Sequence, residues 1–192
     1  MSRINMAQVS VALGALVLVV LLLLVFAPVE GGYPEAKTIT ENVTDFKDLT
    51  ERFETLATEK GGVYAYDVLL RATLPSHADI HLLGHTVGDI LYTQKGVDGI
   101  AFCTQDFRNA CSHSIVIGAL NEFGEPALDM IRGACRKAPG GSGAYTMCFH
   151  GLGHGVFAYF NYDIAPTIDF CKKAGTAEYQ DREYIECVGG MV

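Results

Sequence analysis

The most continuous apolar stretch of the chain comes first: Val11 to Phe26 reads VALGALVLVVLLLLVF, without one polar side chain. With the uncharged residues from Ala7 and on to Val29 it reaches the length of a bilayer span, roughly 20 residues. A secretory signal peptide is the competing assignment, but its apolar region is usually about 7–15 residues. Val25-Phe26-Ala27 offers a small residue for cleavage, and Pro28 would then stand just beyond the cut. The expectation is an uncleaved anchor over residues 1–29. Arg3 precedes the span and Glu30 and Glu35 follow it, so the positive-inside rule leaves the N-terminus in the cytoplasm. Either assignment exports the rest of the chain.

Beyond the apolar run the pattern changes to helical spacing. Residues 30–44 are polar and are expected to form a tether, with a glycosylation sequon at Asn42-Val43-Thr44. Residues 45–75 carry two helices. Phe46, Leu49, Phe53 and Leu56 recur on one face as far as Gly61-Gly62, and a second short helix runs from Val63 to Thr73, before Pro75. Ser76 is the expected N-cap of the next helix, with Asp79 completing an approximate capping box.

From Ser76 the pattern repeats. HLLGHTVGDILY from His81, HSIVIGALNEFG from His113 and HGLGHGVFAYFN from His150 align without gaps. Cys111 and Cys148 stand two positions before their histidines, where the first copy has Asp79. Cys103, Cys135 and Cys171 each close a copy, and a fourth begins at Cys187 with Gly189 in the histidine column. A period in the thirties with two apolar segments per unit predicts helical hairpins. The second helices are read at Glu125 to Cys135, Ala165 to Cys171 and, more weakly, Gly96 to Cys103. The expected fold is all-α: an α-solenoid or curled bundle over residues 76–192, whose units bury each other's apolar faces. The last repeat is incomplete, and repeat arrays normally finish with a cap, so a longer parent protein is expected.

The chain has 192 residues, a formal charge of −8 and no tryptophan. No Lys/Arg patch offers the basic surface that nucleic acid requires. Export makes the six cysteines more compatible with disulfides than with free thiols. Six cysteines allow 15 connectivities; the repeat register favours Cys103–Cys111, Cys135–Cys148 and Cys171–Cys187, each closing an inter-repeat loop. A Cys/His zinc cluster is the rival, although C-x-H is not zinc-finger spacing.

Histidines four apart share a helix face. His81/His85 and His150/His154 are therefore two potential ligand pairs, and His113 adds an auxiliary imidazole, with Ile117 where its partner would be. If the column faces one side of the stack, five imidazoles converge on a site for zinc, copper, iron or nickel. Haem b between two histidines stays open, since Gly84 and Gly153 would let a flat ring approach. The zinc-protease motif is absent, because Leu82 and Gly151 follow the first histidines, and no CxxCH occurs. Asp89, Glu122, Tyr92 and Tyr159 are nearby candidates for supporting or proton-transfer roles. Gly140-Gly141-Ser142-Gly143 reads as a flexible loop rather than a phosphate loop. The competing explanation makes the histidines polar core residues of tightly packed helices, in a scaffold for a protein partner. A metal-dependent oxidoreductase or hydrolase is a third.

On CFHGLGHG (Cys148 to Gly155) and its partner cysteines the chain resembles uncharacterised exported microbial proteins that repeat a Cys-x-His-Gly-x-Gly-His unit. The resemblance covers Ser76 to the end and implies no catalytic residues. The first copy departs from it in lacking the leading cysteine, the second at Ile117 and the fourth at Gly189.

Overall fold

A computed structural model describes residues 32–191. The expected membrane anchor, residues 1–29, lies outside the described residues, and none of the described helices is long and apolar enough to cross a membrane. Among the described residues the fold is all-helical. The α-helices are α1 (Glu35–Thr38), α2 (Phe46–Lys60), α3 (Gly62–Arg71), α4 (Ile80–Lys95), α5 (Ala110–Phe123), α6 (Ala127–Cys135), α7 (Gly141–Tyr159), α8 (Ile164–Ala174) and α9 (Arg182–Gly189). Short 3-10 segments span Gly96–Phe102, Asp106–Asn109 and Ala177–Tyr179.

The first helices of the repeats, α4, α5, α7 and α9, pack successively against one another. Behind them the Gly96–Phe102 segment packs on α4, α5 and α6, α6 packs on α5 and α7, and α8 packs on α7 and α9. The second helix expected at Gly96 to Cys103 is thus a single 3-10 run. Two glycines and an aspartate weaken α-helix there, and the run is cut short by Cys103, which is bonded to Cys111. Helices α2 and α3 pack on α4 and cover the open face of the first repeat.

Small residues set the spacing of the stack. A Cβ on Gly88 would lie 2.7 Å from the Cys111 carbonyl oxygen, and one on Gly151 would lie 2.7 Å from the ring of His113. The disulfides are Cys103–Cys111, Cys135–Cys148 and Cys171–Cys187, and all six sulfurs belong to buried residues. Each ties the end of one unit to the first helix of the next. Loops of this length stabilise by about 3 kcal/mol each in the chain-entropy treatment.

Several boundaries differ from the sequence expectation. The N-cap of α4 is Asp79, not Ser76: its carboxylate accepts from the Leu82 N–H at 3.0 Å. The Gly141-Ser142-Gly143 stretch is the first turn of α7 rather than a loop, so Cys148 lies inside a helix. The expected tether is docked from Tyr33 onward. Ala36 and Ile39 are buried, Glu35 accepts from the Tyr64 hydroxyl and pairs with Lys60, and the Arg52 guanidinium donates to the carbonyls of Ile39 and Glu41. Tyr33 and Val43 also pack against the core, so apolar and polar contacts together anchor the segment.

Candidate metal centre

The turn before α5 is unusual. Phe107, Arg108 and Asn109 all adopt left-handed backbone conformations, with φ of 56°, 54° and 60°. Such a run costs free energy for residues with a Cβ and persists where the surrounding structure holds it. Here the Cys103–Cys111 bridge closes over it. The turn presents the Phe107 carbonyl to His81, whose Nδ1 lies 2.6 Å away. A carbonyl only accepts, so Nδ1 of His81 carries a hydrogen, and in the neutral ring Nε2 is then a lone pair.

His85, one turn along α4, is aimed in a similar way from α5. The Ser114 hydroxyl donates to the His85 carbonyl oxygen at 3.0 Å, so it accepts from His85 Nδ1 at 2.9 Å. His85 Nε2 is therefore also a lone pair. The two Nε2 atoms face one another at 3.1 Å. Two acceptors in contact repel unless a proton or a cation lies between them.

His113 is the third member. Only 2% of it is exposed, and its Nε2 is buried without a hydrogen-bond partner among the described residues. An orphaned buried nitrogen costs about 1–3 kcal/mol, and a ligand would remove that cost. One ligand atom from each of His81, His85 and His113 lies within 4.8 Å of the others. Bonds of about 2.0 Å at tetrahedral angles require nitrogens about 3.3 Å apart. The His81–His85 pair already meets that spacing, and His113 has to close by about 1.5 Å.

Burial favours the neutral, ligand form of three of the rings, His85, His113 and His154. Burial lowers the His113 pKa to about 2, helped by His154, His85, His81 and His150. Burial also lowers His85, with His81 second, and lowers His154, with His150 second. Neutral imidazole is the form that binds metal.

All five imidazoles fall in one contiguous cluster, with the buried His113 at its centre and the half-buried rings of the two pairs on either side. Ring centroids are 4.6 Å apart for His81–His85, 5.6 Å for His81–His113, 5.7 Å for His85–His113, 4.6 Å for His113–His154 and 5.0 Å for His150–His154. His113, expected as an auxiliary, is the centre through which the two pairs meet. That follows from its place in the middle copy of three, a signal the sequence already carried. Ser114 and the Phe107 carbonyl escaped sequence reasoning, because one is a common residue and the other a backbone atom.

Comparison with known proteins adds no assignment. No protein-family model, curated protein or solved structure matches this chain. What it can do has to be read from its own geometry.

Two expectations do not fit that geometry. The two glycines expected to admit a flat haem face protein instead: a Cβ on Gly84 would lie 2.7 Å from the Ala110 side chain and one on Gly153 2.9 Å from the Cys187 carbonyl carbon. The Tyr92 hydroxyl donates to Glu122 at 2.5 Å, and burial, with Glu122, pushes its pKa up to about 12. Tyr92 lies seven residues beyond His85, about 10 Å along the helix, and so stands apart from the imidazoles. A cavity of about 490 Å³ is lined by Tyr92, Glu122, Met130 and Lys137 and by no histidine.

Proposed function

We propose that the protein is a transition-metal-binding helical-repeat protein of an extracytoplasmic compartment, held to a membrane by its N-terminal apolar segment, with His81, His85 and His113 as the ligands. The observation that carries this reading is the meeting of three imidazoles: the Nε2 atoms of His81 and His85 face one another at 3.1 Å, a ring nitrogen of His113 lies within 4.8 Å of ring nitrogens of both, and the buried Nε2 of His113 has no hydrogen-bond partner among the described residues. A shared proton would satisfy the first two but not the third. Three neutral nitrogen ligands suit zinc or copper, and three protein ligands leave a position for water or a further donor. The apolar run from Val11 to Phe26 supports the anchor, and the three disulfides fit an oxidising compartment.

The experiment is elemental analysis and zinc titration of full-length, tag-free protein in mild detergent, beside His81→Ala and His85→Ala. The expected result is bound metal that both substitutions reduce, with zinc raising the melting temperature of the wild type alone. Metal content unchanged by both substitutions, or a wild type that zinc does not stabilise, would instead identify the histidines as structural members of an interaction scaffold.

A further inference from the structure

The triad leaves two imidazoles unused. His150 and His154 on α7, with rings 5.0 Å apart at 77°, repeat the arrangement of His81 and His85 on α4, at 4.6 Å and 89°. They lie across His113 from the first pair, His154 at 4.6 Å from its ring. An ion bound by the triad with bonds of about 2.0 Å cannot also take up a pair beyond the third ligand. A neutral imidazole carries a lone pair on only one of its two nitrogens, so His113 ligates the first ion alone and stands beside the second.

We infer that the cluster holds two ions, a first on His81, His85 and His113 and a second on His150 and His154, with His113 between them. This rests on the metal reading of the triad and adds a second site to it. The two sites are unequal. Phe107 and Ser114 hold the Nδ1 edges of His81 and His85, whereas no hydrogen bond among the described residues holds either nitrogen of His150 or His154. Partners of that kind are worth about 10–100-fold in metal affinity, so the second ion binds more weakly by about tenfold or more.

Helix α9 shows what the second site lacks. Its Gly189 stands in the column where the other repeats carry their lead histidine. A Cβ there would lie 3.7 Å from His150 Nδ1, an ordinary contact, with nothing nearer. A histidine at this position would be the third ligand that His113 is to the first pair.

The test is equilibrium dialysis of full-length, tag-free protein against zinc(II), with elemental analysis and melting curves for each variant. Two ions per chain in two separated steps are expected. His150→Gln with His154→Gln removes the weaker step and leaves the tighter one. Gly189→His tightens the weaker step by about tenfold, about 1.4 kcal/mol, and leaves the tighter one alone. A wild type that takes up one ion overturns the second site while leaving the triad intact. So does a Gly189→His chain with an unaltered weaker step, whereas a paired variant that keeps its melting temperature but loses both steps overturns the triad reading as well. A wild type that binds no zinc overturns the triad reading, and the second site with it.

Discussion

Gly153→Ala probes the closest approach in the stack. Gly153 on α7 faces α9, where an added methyl group would collide with the Cys187 carbonyl oxygen and stand 2.9 Å from its carbon and 3.0 Å from Gly190 Cα. All three are backbone atoms, so no rotamer change relieves the contact. The Cys171–Cys187 bridge also restrains α9 from moving away. Overpacking costs about 1–3 kcal/mol, and a collision with backbone takes the upper figure, about 3 kcal/mol. Alanine in a helix interior returns about 1 kcal/mol relative to glycine. The net loss is about 2 kcal/mol, which lowers Tm by about 4–8 °C for a domain of this size. Gly133→Ala in α6 is the control: nothing lies within 4 Å of its added Cβ, so it raises stability by about 0.5–1 kcal/mol. Urea unfolding with the disulfides intact measures both, as midpoint shifts at constant m. A Gly153→Ala midpoint at or above that of the wild type would refute the contact between α7 and α9.

Two further outcomes follow from the site. His113, held near a pKa of about 2 by burial and its neighbouring imidazoles, stays neutral in the fold while the same ring in the unfolded chain takes up a proton near pH 6.5. The unfolded state then binds more protons, so the metal-free protein loses stability as pH falls below about 6.5, by about 1.4 kcal/mol per pH unit from this group; urea midpoints in EDTA between pH 7 and pH 5 check it, and a flat profile would count against a buried neutral ring. Ser114→Ala removes the acceptor that aims His85 and should weaken zinc binding by about 10–100-fold, read by competition with a chromogenic chelator; unaltered affinity would mean that His85 is not a ligand or needs no support.

The all-helical class was legible because burying one apolar face of a helix leaves a periodic trace. The register that aligns His81, His113 and His150 also brings the cysteines of each loop together, since both sit at equivalent points of the repeat. The rotation of each helix within the stack was harder to read. Spacing puts His81 and His85 on one face, but only contacts such as Gly88 against Cys111 and Gly151 against His113 turn those faces toward one cluster. Least legible was the left-handed run Phe107-Arg108-Asn109. None of these residues is glycine, and their conformation is set by the closed loop around them rather than by local preference. Asp79 displaced Ser76 as N-cap because the helix starts later than the first good capping residue.

The three imidazoles proposed as ligands come from two helices, α4 and α5, and the second pair from α7. Helical-repeat arrays ordinarily behave as a row of semi-independent blocks that fray from the ends inward. Here disulfides tie α5, α7 and α9 each to the segment before it, and the histidine cluster spans α4, α5 and α7. Cutting the disulfides with a reductant would do more than lower the melting temperature. It would let neighbouring blocks slip in register, and a cluster that exists only while three helices stay aligned would lose its shape first. Bound metal would then report the redox state of the surroundings, although no cysteine touches it.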